Sequence, residues 1–264
     1  RYHKVTGVQT CALPISRRLF IGGNWKCNGT KASLTDLINT FNGAGELKAD
    51  RDIVIAPTAL HIGFVKDMIR PEIEIAAQNI WKVNGYGAYT GELSAPMLKD
   101  FGINWTILGH SERRHTVAAE SNELIAEKVK VALANGIKVI LCIGELLEDR
   151  ESGKTMDVCK AQLKAVVDLL EEKDWDNIVI AYEPVWAIGT GKVATPDQAE
   201  ETHAAIRAFM ASSVSPAVAE KVRIIYGGSV NAKNCDNLIS KEDIDGFLVG
   251  GASLKPEFVQ IMNC

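Results

Sequence analysis

The chain has 264 residues, 47% hydrophobic and 23% charged, with a formal net charge of -4. This is the composition of a globular protein with a sizeable core. Its cations and acids are interspersed, which excludes a polybasic binder of nucleic acid or membrane surface.

Residues 1–15 (RYHKVTGVQTCALPI) show no period and lack the long apolar region of a secretory signal. The segment VTGVQTCALPI resembles the translation of a sequencing-library adapter, so residues 1–15 read as non-native and residues 16–264 as one barrel domain. An organelle transit peptide is the competing reading. Short apolar or β-branched runs then recur at 19–22, 53–56, 73–77, 105–108, 139–143, 178–181, 223–226 and 246–249. Each is nearly continuous in apolar character, as parallel strands covered on both faces are.

Helical patterns lie between them. Residues 121–129 have an N-cap candidate in Ser121 and a stop in Gly136. Residues 157–172 carry a stripe of Val158, Leu163, Val166, Val167 and Leu170. Thr195 and Pro196 have the chemistry of an N-cap and a first helical position. Eight strands alternating with helices predict an α/β chain, a single (β/α)8 barrel with eight parallel strands. A doubly wound open sheet is the alternative, but no GxGxxG follows the first strand. No apolar run is long enough for a membrane span. The six cysteines have neither CxxC nor zinc-type spacing, which suggests reduced thiols in a cytoplasmic protein and no metal site.

In such a barrel the chemistry belongs at the C-terminal ends of the strands. Five ends carry unusual polar groups: Asn24-Trp25-Lys26, Gly109-His110-Ser111-Glu112, Glu183, Tyr226-Gly227-Gly228-Ser229 and Gly250-Gly251-Ala252-Ser253. The glycine pairs on the last two strands leave backbone N–H groups open to an anion such as phosphate. Glu183 ends an apolar strand and precedes Pro184 and a small-residue loop reaching Gly189, Gly191 and Lys192. That order suits a carboxylate base on a rigid strand beneath a mobile, anion-binding lid over residues 184–194.

These motifs, in this order, resemble those of the triosephosphate isomerases, and the resemblance runs from about residue 18 nearly to the C-terminus. It covers Asn24-Trp25-Lys26, the run from Gly109 to Arg114, the run from Ala181 to Gly191, Tyr226-Gly227-Gly228-Ser229 and the run from Gly246 to Ser253. The resemblance implies interconversion of dihydroxyacetone phosphate and D-glyceraldehyde 3-phosphate through an enediolate, within glycolysis and gluconeogenesis, without a cofactor.

It further implies that Glu183 is the base, His110 the electrophile and Lys26 the electrostatic stabiliser. Asn24, Lys26, Gly189, Ser229, Gly250 and Gly251 would bind substrate, with Glu112 and Ser111 supporting them. It implies a homodimer in which the loop around Thr90 reaches the partner near Asn24 and Lys26, with Cys27 at that interface. The segment from Asn84 to Glu92 is slightly longer than the usual loop, and His115 to Glu120 departs from the usual aromatic-glycine pattern. A different phosphate-binding barrel isomerase would share the glycines but would not account for Asn24, Lys26, His110 and Glu183 together. A catalytically silent barrel would be marked by loss of Glu183, His110 or Lys26, and all three are present.

Overall fold

An apolar run without alternation needs a cover on each face, and side-by-side parallel pairing under a layer of helices supplies both. A computed structural model describes residues 17–188 and 194–264. Residues 1–15 lie outside the described residues. The strands are β1 (Leu19–Asn24), β2 (Arg51–Ala56), β3 (Ile73–Ala77), β4 (Trp105–Leu108), β5 (Lys138–Ile143), β6 (Ile178–Tyr182), β7 (Arg223–Tyr226) and β8 (Gly246–Val249). They pair in parallel in chain order and close into a barrel. Closure runs from Phe20 opposite Gly246 to Gly23 opposite Val249. At Gly246 φ is +138°, and a Cβ there would lie 1.9 Å from the Phe20 carbonyl oxygen, so only glycine fits the seam.

The helices are α1 (Lys31–Asn42), α2 (Ile62–Met68), α3 (Ala95–Asp100), α4 (Asn122–Ala134), α5 (Leu147–Glu151), α6 (Thr155–Val167), α7 (Pro196–Ser213), α8 (Pro216–Lys221), α9 (Cys235–Ile239) and α10 (Phe258–Met262). Strand side chains divide by their period of two. Phe20, Val54, Trp105, Ile140, Val179 and Leu248 fill the lumen as one cluster. Ile21, Ile53, Leu141, Ile180 and Phe247 join a second, larger core under the helices. Phe20 and Trp105 meet edge to face in the lumen with ring centroids 5.0 Å apart.

Helix starts agree with their caps. Thr195 Oγ1 accepts the Gln198 N–H at 3.1 Å, and Gln198 Oε1 accepts the Thr195 N–H at 3.0 Å. Ser121 Oγ accepts the Leu124 N–H at 3.2 Å. The helix expected over 157–172 instead ends at Val167. Asp174 accepts the Glu171 N–H at 2.9 Å and starts a separate 3-10 turn, Glu172–Asn177, so a local side-chain bond outcompetes helix continuation. Its buried face also differs from the apolar stripe. Cys159 and Gln162 join Leu163 and Val166 inside, while Val158, Val167 and Leu170 are only partly covered. Gln162 turns inward because its amide accepts from Gly144 N at 2.8 Å and donates to Gly144 O at 3.1 Å.

His203 on α7 is completely buried, packed against the rings of Tyr182 and Tyr226 at 5.8 and 6.3 Å. Its Nδ1–H donates to the Asp243 carbonyl at 3.1 Å, and Nε2 has no partner among the described residues. Burial pushes its pKa from 6.5 down to about 4, against the pull of Asp243 and Asp245. The unfolded chain therefore takes up a proton that the folded chain refuses. His203 contributes full stability above pH 6.5, and that contribution is lost as pH falls toward 4. The expected loss is about 3 kcal/mol across this window. Urea midpoints measured against pH check it, and a His203→Phe variant should lack that component of the slope.

Candidate active site

Each strand end delivers its polar group to one side of the barrel, where a cavity of 380 Å³ opens. Asn24, Lys26, His110, Glu183, Ser229, Gly250 and Gly251 all line it, together with Asn231, Ile188 and Lys255. Residues drawn from β1, β4, β6, β7 and β8 thus share one space.

β1 ends in Asn24, and Trp25 beyond it is fully buried. Lys26 then takes a left-handed backbone with φ 51°. For a lysine this costs about 1–2 kcal/mol. The loop is pinned on both sides of that residue. Asn24 Oδ1 accepts the Lys26 N–H at 3.0 Å, and the Gln78 amide donates to the carbonyls of Lys26 and Ala56, both at 2.8 Å. The ammonium is thereby held over the cavity, 2.8 Å from Glu112 Oε1.

β4 runs into His110 and a π-helical turn, Glu112–Val117. A single π turn of this kind is a frequent companion of functional sites. The Glu112 N–H donates to His110 Nδ1 at 3.2 Å, so that nitrogen keeps its lone pair and the ring proton sits on Nε2. Nε2 in turn lies 3.0 Å from Glu183 Oε1. Burial lowers the proton affinity of His110 and Glu183 raises it, with a net upward shift from 6.5. Arg114 locks this corner, donating to the carbonyls of Gly109 at 2.6 Å and Cys142 at 3.0 Å.

Glu183 is 2% exposed. Its Oε2 accepts the Ser111 N–H at 3.2 Å, and its backbone N–H donates to Ile143 O at 2.7 Å. The neighbouring strand must come very close: a Cβ on Gly144 would lie 1.7 Å from the Glu183 carbonyl oxygen. Beneath it, burial and Glu183 itself keep the Cys142 thiol protonated, well above the usual range. Glu183, His110 and Ser111 therefore form a hydrogen-bonded set with one mobile proton, facing the Lys26 ammonium.

Between the β6 and β1 ends, the turns after β7 and β8 carry Ser229, Gly250 and Gly251 to the same cavity. The β8 turn continues as a 3-10 helix, Gly251–Leu254, fixed by Ser253 Oγ donating to Gly250 O at 2.7 Å. Gly189 and the middle of the expected lid, residues 189–193, lie outside the described residues. The foot of that segment is a 3-10 turn, Val185–Ala187, whose Trp186 indole donates to Glu145 Oε1 at 2.9 Å. Thr90 and Cys27 do not line the cavity, and both are exposed in the single chain.

Besides Asn231, Lys255 and Glu257 on the cavity lining, two supporting polar residues at this end were not singled out from the sequence. Gln78 follows β3 directly and fixes the Lys26 backbone. Glu145, fully buried just beyond β5, accepts from Tyr182 Oη at 3.1 Å as well as from Trp186. The available signal was the one used elsewhere, a polar side chain immediately past an apolar strand.

Comparison with known proteins agrees with this geometry. The family model described as Triosephosphate isomerase matches residues 19–264. The chain is 57% identical over 253 residues to "Triosephosphate isomerase, chloroplastic" of Secale cereale, covering 96% of this chain and 83% of the relative. It is 55% identical over 250 residues to the cytosolic enzyme of Oryza sativa subsp. japonica, covering 94% and 97%. Against the chloroplastic enzyme of Arabidopsis thaliana the identity is 56% over 253 residues, covering 96% and 79%. Among the described residues no helix is long and apolar enough to cross a membrane. The chain is a member of the triosephosphate isomerase family.

Proposed function

We propose that this enzyme interconverts dihydroxyacetone phosphate and D-glyceraldehyde 3-phosphate, with Glu183 as base, His110 as electrophile and Lys26 as electrostatic stabiliser. The observation that carries the reading is the convergence of these three groups on one cavity that Gly227, Gly228, Gly250 and Gly251 also line. The reaction moves a proton between adjacent carbons and is redox-neutral overall, so no cofactor is required.

A substrate carbonyl entering between Glu183 and His110 replaces their mutual contact. Glu183 then takes the proton from the carbon next to the carbonyl and returns it to the neighbouring carbon. His110 Nε2–H donates to the developing enediolate oxygen and moves protons between the two oxygens. Neutral imidazole suits this step because Nδ1 is already engaged by the Glu112 N–H. Lys26 faces both the phosphate and the enediolate, and its charge favours the form with more negative charge near the carbons. Asn24 serves the substrate beside it. Ser229, Gly250, Gly251 and Gly189 hold phosphate through backbone N–H groups. Residues 184–194 act as the lid that keeps water from the enediolate.

The same reading makes the enzyme a homodimer. Of the seven exposed large apolar side chains among the described residues, six (Leu60, Tyr86, Tyr89, Met97, Phe101 and Val117) belong to the connections after β2, β3 and β4, and one, Leu169, follows β5. Such a concentration marks an association surface. Thr90 and Cys27 lie on this side, and Thr90 is the residue that reaches the partner's Asn24–Lys26 loop. A cytosolic location and a non-native segment 1–15 complete the proposal; intact mass of the protein from its source is expected to lack that segment.

The primary test is isomerase turnover on a chain starting near Ser16. Glu183→Asp withdraws the carboxylate by about one bond, and a misplacement near 1 Å costs about 10²-fold in rate. A fall of at least that size in kcat with an unchanged fold is the expected result, whereas undiminished turnover removes Glu183 from the role of base. For the dimer, a bulky thiol reagent on Cys27 is expected to shift sedimentation to the monomer and lower activity together. Full labelling with activity retained would place Cys27 away from the interface.

A further inference from the structure

Two cysteines that the isomerisation does not use lie side by side in the C-terminal part of the barrel. Cys235 is the first residue of α9, and Cys264 is the last residue of the chain, just past α10. Their sulfurs and a carboxylate oxygen of Asp236 all lie within 4.8 Å of one another. Cys235 is buried, and Cys264 is partly exposed. Each thiol donates to a carbonyl of its own turn, Cys235 to Ala232 O at 3.8 Å and Cys264 to Ile261 O at 3.2 Å.

Residue 264 is firmly placed. Arg51 Nη1 donates to its carbonyl oxygen at 2.7 Å, Lys48 Nζ does so at 3.2 Å, and the Lys48 N–H donates to Asn263 Oδ1 at 3.1 Å. The two sulfurs therefore face each other because both supporting segments are anchored. Those segments follow the two glycine turns of the cavity. Next to Cys235, Asn234 donates to Ser229 O at 3.0 Å, and α10 follows the turn that begins at Gly250. One weak bond already joins the two units, from the Ala232 N–H to Glu257 Oε2 at 3.4 Å.

We propose that Cys235 and Cys264 form a reversible disulfide when a small disulfide such as oxidised glutathione is present, stapling the β7–α9 unit to the segment after β8. The inference rests on the two thiols alone and not on the proposed isomerase reaction. Side-chain rotation must bring the sulfurs to about 2.05 Å. Cys264, the more exposed, loses its proton to solvent, and its thiolate attacks one glutathione sulfur. The glutathione S–S bond breaks and one glutathione leaves as thiolate, taking a proton. The Cys235 thiolate then attacks the Cys264 sulfur and expels the second glutathione. Two protein thiols are oxidised by two electrons, and the glutathione disulfide is reduced to two thiols.

Burial and the neighbouring Cys235 sulfur push the Cys264 thiol up to about 12, while Arg51 pulls the other way. A pair whose thiolate form is not stabilised gains more from oxidation, because stabilising the reduced form is what makes a disulfide strongly oxidising. The same protonation slows the first attack, so the bond forms slowly and resists reduction. A thiophilic cation on Cys235, Asp236 and Cys264 is the competing occupant, and the proximity of Arg51 weighs against it.

The full chain is treated with oxidised glutathione and a chelator, and intact mass is followed. The expected product has lost two hydrogens, yields a peptide pair linking Cys235 to Cys264, and reverts with dithiothreitol. Its Tm should rise by about 5 °C. Cys235→Ser and Cys264→Ser should each abolish both the link and the shift. A small cysteine-containing peptide added to the mixture reports that the oxidant has reacted. Glutathione on that peptide with Cys235 and Cys264 still free overturns the proposal, as does a stable glutathione adduct on Cys264 that Cys235 never displaces. Oxidation blocked by one equivalent of zinc bound to the untreated protein would assign the pair to a metal instead. None of these readouts depends on turnover.

Discussion

The closing seam between β1 and β8 is the constraint on which everything else rests. Eight parallel strands closed into a ring put all eight C-terminal ends on one side, so side chains far apart in sequence must meet there. The seam requires the Phe20 backbone to approach residue 246 more closely than any Cβ would allow. Partly buried ion pairs support the same strands. Arg207 bonds both Asp243 and Asp245, and Asp245 also accepts the Ile224 N–H at 2.8 Å. Removing one partner from such a set leaves a partly buried charge uncompensated.

Closure alone gives proximity; the site also needs orientation, and backbone groups supply most of it. The Ser111 N–H holds one oxygen of Glu183, the Glu112 N–H fixes the tautomer of His110, and Asn24 with Gln78 fixes a strained Lys26. Each bond fixes a reacting side chain before any substrate arrives, so little reorganisation remains at the moment of reaction. The cost is modest local strain at Lys26, absorbed by a loop whose tryptophan is fully buried. Lys26 and Glu112 are both partly exposed, so their 2.8 Å pair adds little stability. Its role is to direct an ammonium that would otherwise sample solvent.

The C-terminal segment joins this scheme from a different direction. Arg51 and Lys48 dock the end of the chain onto the β2 side of the barrel, and the neighbouring turns supply the glycine wall of the cavity. A bond between Cys235 and Cys264 would tighten two elements already joined by the long hydrogen bond from Ala232 to Glu257. Redox state would then act on the support of the phosphate wall without touching Glu183 or His110.

Local chemistry in the sequence was sufficient for the strands, because a run apolar on both faces has few other places to go, and for α7, whose Thr195, Pro196 and Gln198 make a complete cap. The five polar strand ends were legible for the same reason: charge directly after an apolar strand is costly unless it is used. What the sequence could not decide depends on partners distant in the chain. Gln162 faces inward because Gly144 offers it both a donor and an acceptor, so an apolar stripe alone misplaces the face of α6. Glu145 and Gln78 carry no motif of their own, and their roles exist only once Trp186 and Lys26 are brought to them. Local preferences act over a few residues and are written in order along the chain. The approach of Cys235 to Cys264, the tautomer of His110 and the meeting of Glu183 with Ser111 were decided by barrel closure, which sets distances between elements that the sequence leaves far apart.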